Sequence, residues 1–365
     1  MLAARESVQR PRDAKLLTVD RAGRIRHRLR AACVELLRPA DLVSANDAAT
    51  LPASLAGIHL PTGAAIELRL AGRASLSPSD IHRFSAVVFG EGDWRSRTED
   101  RPPPPLLSPG DRLVLGPLSA DVEAILSHPR LIRLAFDASA DAVWAGLARH
   151  GRPIQYAHLS CPLAPWDSWT RIANLPAAFE PPSAGFVLDW RLLGALGARG
   201  VGFATLTHAA GISSTGDPTL DARLPFDEAY VIPAATVAAI ERVKGEGGRI
   251  IAMGTTVVRA LEHAAAGGTL RAGEGVATNR IGRDTPLRIA GAILSGAHEV
   301  GTSHFELLRA FAPDDILQAA DHALNLLGYR SHEFGDSVLL ERFRSPLTEL
   351  PSRPLLAQMP GDDLS

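Results

Sequence analysis

The chain has 365 residues, 46% of them hydrophobic and 21% charged, with a net charge of −2. This composition excludes a disordered chain, and the near-neutral balance excludes a protein that coats nucleic acid through bulk charge. No apolar run reaches the roughly 18 residues that cross a bilayer, and the charged start lacks a signal-like apolar core, so a cytoplasmic protein without membrane contact is expected. Cys33 and Cys161 are too few and too far apart for a disulfide framework or a metal knuckle, and no metal is expected.

In chain order, residues 1–30 hold nine Lys/Arg against three acids. Within them GRIRHRLR alternates arginine with Ile25, His27 and Leu29, so an extended strand would put four guanidiniums on one face. That face suits either phosphate contact or a charged sheet edge that discourages pairing. AKLLTVD, CVELLRPAD and LVSAND read as strand, helix and strand. Residues 64–148 then change character. Short alternating runs (AIELRLAG, SAVVFGEG, RLVLGPL, LIRLAF) separated by Gly, Pro and Ser predict a small antiparallel barrel or sandwich, with RPPPPLL as an extended spacer.

From about residue 150 strands alternate with helices. GVGFATLTH and RIIAMG predict buried strands; TVAAIERVKGEGG, TTVVRALEHAAAGG, SHFELLRAFA and DILQAADHALNLLG predict helices. The expected fold class is therefore α/β, with a barrel-like or mostly parallel main domain from residues 1–63 and 149–365 and an inserted antiparallel β-barrel domain at 64–148.

Three stretches could carry chemistry. In RIIAMGTTVVRALE a strand stops at Gly254, Thr255 or Thr256 is placed to cap the next helix, and Arg259 follows one turn in. Free N–H groups at such a helix start hold anions, and Arg259 would join them as a clamp, unless it pairs with Glu262 or Glu228. The loop LTHAAGISSTGDPTLDARLPFDEAY offers Thr207, His208 and Glu228 beyond a strand end, where active-site loops lie. Ser303-His304-Phe305-Glu306 has the spacing of a capping box, His298 and His304 are poorly spaced for a metal, and EFGD carries Glu333 and Asp336 on a turn. These residues point to a small anionic or zwitterionic ligand.

The order of the segments resembles one family, the S-adenosylmethionine:tRNA ribosyltransferase-isomerases of queuosine biosynthesis. EPPSAGF is similar to the family's A-P-T-A-G-L-H-F, FATLTHAAG to V-T-L-H-V-G-x-G-T-F, and DEAYVIP to H-x-E-x-Y/F-x-V/I-P. GGRIIAMGTTVVRALE is the closest match, and AILSGAHEVGTSHFELLRAFA and GYRSHEFGDSVLL resemble the last two motifs. The resemblance implies S-adenosylmethionine as co-substrate and tRNA as acceptor. Its ribosyl part would be transferred and isomerised onto a 7-aminomethyl-7-deazaguanine, releasing adenine and methionine without a metal. It further implies Glu228, His208 and Arg259 as catalytic residues. Asn46, Ala184, Gly185, Thr207, Gly254, Thr255, Thr256, His298, Ser303 and Asp336 would bind substrate, and a monomer is expected. Ala48, Ala49, Ser54, Val187, Thr207 and Phe226 depart from the motifs. Those departures leave open a related nucleoside with a small-molecule acceptor, or a non-catalytic paralogue.

Overall fold

The computed structural model describes residues 1–343; residues 344–365, the end of the predicted main domain, lie outside the described residues. Strands β1 (Lys15–Val19), β2 (Ile25–Leu29) and β3 (Leu42–Asn46) come first. Six strands follow: β4 (Ser54–His59), β5 (Ala64–Gly72), β6 (Arg83–Phe89), β7 (Arg112–Leu115), β8 (Leu118–His128) and β9 (Leu131–Phe136). After helices α1 (Ala140–His150) and α2 (Trp190–Ala198) the chain forms β10 (Gly202–His208), β11 (Glu228–Ile232), α3 (Ala234–Gly245), β12 (Ile250–Met253) and α4 (Thr255–Ala264). It ends with β13 (Gly273–Ala277), β14 (Ala292–Gly296), α5 (Ser303–Leu308), α6 (Asp314–Leu326) and β15 (Ser337–Glu341).

Nine of these strands form one open sheet in the order β13-β11-β10-β3-β12-β14-β15-β1-β2. Its centre, β10-β3-β12-β14, is parallel, and most of the remaining pairings are antiparallel, so the sheet is mixed, with four of eight pairings parallel. Helices cover the centre, which is why LVSAN and IIAM are buried at every position. The α/β class with an inserted barrel is thus present, but the main sheet is open rather than barrel-like.

Strands β4–β9 close into an antiparallel barrel around Leu68, Leu70, Phe84, Val88 and Leu134. The barrel takes in Ser54–His59, which the predicted boundary at residue 64 assigned to the main domain. SLAGIH hides its alternation behind Ala and Gly, and its place comes from the β4–β5 hairpin, with Ser54 opposite Arg69 and His59 opposite Ala64. Residues Arg30–Leu36 form a 3₁₀ helix where an α-helix was expected, because Pro39 limits the run. The strand GRIRHRLR is a sheet edge with Arg26 and Arg28 exposed. Its four-arginine face is broken, however. Arg30 turns inward and donates to the Gly335 carbonyl at 3.1 Å and the Gln9 carbonyl at 3.0 Å.

On the outer face of the barrel, opposite Leu68 and Leu70, Glu67 is 4% exposed and pairs with Arg69 and Arg101, which are 1% and 6% exposed. Ser54 also donates to it at 2.7 Å. Burial raises the Glu67 pKa, yet Arg69 and Arg101 outweigh it and leave the carboxyl below its ordinary value. The group therefore contributes stability above its ordinary pKa and loses it as pH falls through the depressed one. Glu67→Ala strands two buried guanidiniums and should cost about 3–5 kcal/mol, read by urea unfolding at neutral pH.

Candidate active site

Strand β12 delivers the chain to Gly254, whose φ of +95° is left-handed. A Cβ there would lie 3.2 Å from the Ala184 Cβ, so both backbone and space require glycine. Gly254 itself occupies the cap position and no side chain caps α4; Thr255 is already helical. The predicted threonine cap is therefore absent. A left-handed glycine sets the turn instead, and the first-turn N–H groups stay free for a ligand.

These groups face a cleft. A cavity of about 540 Å³ adjoins one of about 80 Å³, and both are walled by Glu180, Pro181, Ser183, Ser213, His298 and His304. Of the residues expected from sequence, Glu228, Ala184, Gly254, Thr255, Thr256, His298 and Ser303 line the smaller part. Ser303 is free to do so because Thr302, not Ser303, caps α5, accepting from the Phe305 N–H at 3.2 Å. His298 bonds Ser295 at 2.6 Å and stacks on His304 with centroids 4.7 Å apart.

Arg259 does not face the cleft. Its guanidinium is 3% exposed and saturated: it donates to Glu228, to the Asn279 carbonyl at 3.0 Å, to the Phe226 carbonyl at 2.7 Å and to the Ala277 carbonyl at 2.8 Å. The expected anion clamp is instead the buried partner of Glu228. Glu262 is engaged elsewhere, accepting from the N–H groups of Arg288, Ile289 and Ala290. Burial raises the Glu228 pKa, restrained by Arg259 and by the Gly211 N–H that donates at 2.6 Å.

His208 lies behind this pair, fully buried, with Nε2 3.4 Å from Glu228 Oε2. Burial, then the charge of Arg259, push its pKa down to about 3, so the ring is neutral at physiological pH. Asn46 holds it, accepting from the His208 N–H and donating to its carbonyl, both at 3.0 Å. Neither residue touches the cavity, which corrects their expected roles to support. Thr207 donates to Asp47 at 2.6 Å, and Gly185 packs on Thr170. Asp336 accepts from the Lys15 and Arg330 N–H groups, each at 2.7 Å, tying strand ends together away from the cleft.

Sequence reasoning passed over Glu180 and Tyr156. Glu180 opens the EPPSAGF segment. Its carboxylate accepts from the Tyr156 hydroxyl and from the Ser213 N–H at 3.0 Å. Burial pushes its pKa up to about 7; the Tyr156 hydrogen bond opposes this, and Glu333 nearby adds to it. A carboxyl poised near neutrality on a cavity wall can take or give a proton. The cleft as a whole is acidic. Among the described residues, Glu99, Glu180, Glu228, Glu299 and Glu333 line it against one guanidinium, Arg97, itself paired with Glu99.

Fold and site define an α/β protein with an acidic ligand cleft at the carboxyl ends of its parallel strands. The chain belongs to the queuosine biosynthesis protein family, whose model matches residues 1–340. It is 31% identical over 347 residues to the S-adenosylmethionine:tRNA ribosyltransferase-isomerase of Synechococcus elongatus, covering 92% of this chain and 91% of that one. It is 30% identical to the protein of the same name from Sorangium cellulosum, covering 95% and 96%. A crystal structure of S-adenosylmethionine tRNA ribosyltransferase from Thermotoga maritima is 24% identical, with a TM-score of 0.48 and coverage of 93% and 96%.

Arg259→Ala would leave Glu228 buried without its counter-ion. Urea unfolding should show a loss of about 3–5 kcal/mol. Weaker ligand binding at unchanged stability would instead restore the clamp.

Proposed function

We propose that this chain moves the ribosyl part of S-adenosylmethionine onto a 7-aminomethyl-7-deazaguanine of tRNA and isomerises it, releasing adenine and methionine. The observation that carries the reading is the acidic cleft with Glu180 on its wall. Five carboxylates, three of them without an arginine partner, favour a cationic sulfonium, and they also favour the ammonium of an aminomethyl acceptor. A sulfonium acidifies the neighbouring C5′ hydrogen. Glu180, near its midpoint at neutral pH, is matched to receive that proton while adenine is eliminated. The free N–H groups at the start of α4 suit an anionic part of the donor, such as its methionyl carboxylate. Amine attack on the activated carbon skeleton then completes the transfer, and methionine departs as a neutral thioether. The bond changes require no redox cofactor and no metal-bound intermediate.

In this reading Glu228 lines the donor pocket, with Arg259, His208 and Asn46 as its buried support. The main unit, residues 1–63 and 149–365 less the strand β4, carries the chemistry. The barrel lends the wall its Arg97–Glu99 turn. The protein would act in the cytoplasm as a monomer.

Adenine release should appear when the protein is incubated with S-adenosylmethionine and tRNA bearing the aminomethyl-deazaguanine; none under conditions where a reference enzyme turns over would reject the reading. Because the base must be ionised, the rate should rise with pH through about 7. Glu180→Gln should lower it roughly 10²–10⁴-fold and abolish that limb of the profile.

A further inference from the structure

A second cluster on the cleft wall has no proton-transfer step in that chemistry, although its Glu333 adds to the acidity of the cleft. His158 follows the barrel and α1, whereas His332 and Glu333 sit together on the turn before β15. The three meet although 174 residues of sequence separate His158 from His332 (332 − 158). His158 Nε2 lies 3.1 Å from Glu333 Oε2, and the two imidazoles stack with centroids 4.3 Å apart at an interplanar angle of 23°. One ligand atom from each of the three residues lies within 4.8 Å of the others.

We propose that His158, His332 and Glu333 form a binding site for one divalent transition-metal ion of the zinc type. Bonds of about 2.0–2.1 Å in tetrahedral geometry separate ligand atoms by about 3.3–3.4 Å. The His158–Glu333 pair, at 3.1 Å, is a few tenths of an ångström short of that spacing, and His332 must turn out of its stack on His158 to aim a ring nitrogen at the same ion. Two nitrogens and one carboxylate oxygen suit zinc, cobalt or nickel, whereas magnesium and calcium favour all-oxygen shells. Glu299 Oε1 lies 3.8 Å from His332 Nε2, beyond hydrogen-bond reach but near enough to become the outer carboxylate that commonly orients a metal-bound imidazole once the ring turns.

Three protein ligands leave a coordination position open, and all three residues border the larger cavity. With one anionic ligand, the ion keeps a net positive charge. It therefore gives the acidic cleft a cationic docking point for an anionic oxygen, a carboxylate or a phosphate, which saturated Arg259 does not supply. The site is defined by binding alone and stands whether or not the ribosyl transfer reading holds.

The test uses the full chain stripped by chelator, then given zinc alone. Calorimetry and metal analysis after dialysis should find one equivalent bound. His158→Ala and Glu333→Gln should each weaken it by at least about a hundredfold, since even outer-sphere partners of metal ligands are worth 10–100-fold. Circular dichroism checks that the variants fold, and Cys161→Ser, which removes an exposed thiol, should leave uptake unchanged. Cobalt in the wild-type protein gives a readout that needs no variant: visible d–d bands without thiolate charge transfer are expected. No uptake, uptake indifferent to both variants, or a thiolate spectrum would overturn the site and leave a plain His158–Glu333 hydrogen bond.

Discussion

The cleft depends on one buried ion pair, Arg259 with Glu228. Its guanidinium reaches the backbone at Phe226, Ala277 and Asn279, so one side chain of α4 fixes the start of β11 and the end of β13. Glu228 in turn holds the Gly211 N–H, and thereby the loop that leaves β10. Three segments distant in sequence are thus locked to the helix whose first turn faces the cavity. Burying two charges is costly unless every donor and lone pair is met, and here the guanidinium is met fourfold. That saturation makes Arg259 a poor ligand for anything else.

A second buried network stands on the opposite side. Glu67 and Arg69, on the outer face of the barrel, are joined by Arg101, and the Arg69 guanidinium lies 5.4 Å from the centre of the Tyr156 ring. Tyr156 hydrogen-bonds Glu180 and stacks beside His158 at 6.3 Å. The barrel is therefore linked to the poised carboxyl through Tyr156. Burial and Glu333 favour the protonated carboxyl, while the hydrogen bonds from Tyr156 and Ser213 favour the ionised one. Glu180 lies near neutrality because these influences oppose one another.

Much of this was legible in the sequence. Period-two runs located four of the six barrel strands, and the apolar runs at LVSAN, FATLTH and IIAM located the sheet centre, because burial on both faces leaves a continuous signature. The turn at Gly254 was legible too, since a glycine between strand and helix has few other uses. Side-chain direction was not. A guanidinium one turn into a helix can face the helix start or the neighbouring strand, and spacing alone does not separate the two; carbonyls from residues 226, 277 and 279 decided it. The caps shifted by one residue, Gly254 for Thr255 and Thr302 for Ser303, because the backbone geometry at the preceding residue decides which residue is the cap. Glu180 carries no local signal, for its pKa is set by burial against Tyr156 and Ser213, which lie in separate segments.

The electrostatics of the cleft follow from where its arginines went. Arg101 is consumed by Glu67, Arg259 by Glu228 and Arg97 by Glu99, so of the five glutamates that face the space three, Glu180, Glu299 and Glu333, have no arginine partner. A wholly anionic ligand would be repelled except at the helix start, where uncapped N–H groups supply the positive end of a dipole. A molecule with a cationic centre near the glutamates and a carboxylate at that helix start would satisfy both ends at once. A sulfonium amino-acid nucleoside has that distribution of charge, and a neutral or dianionic nucleotide does not.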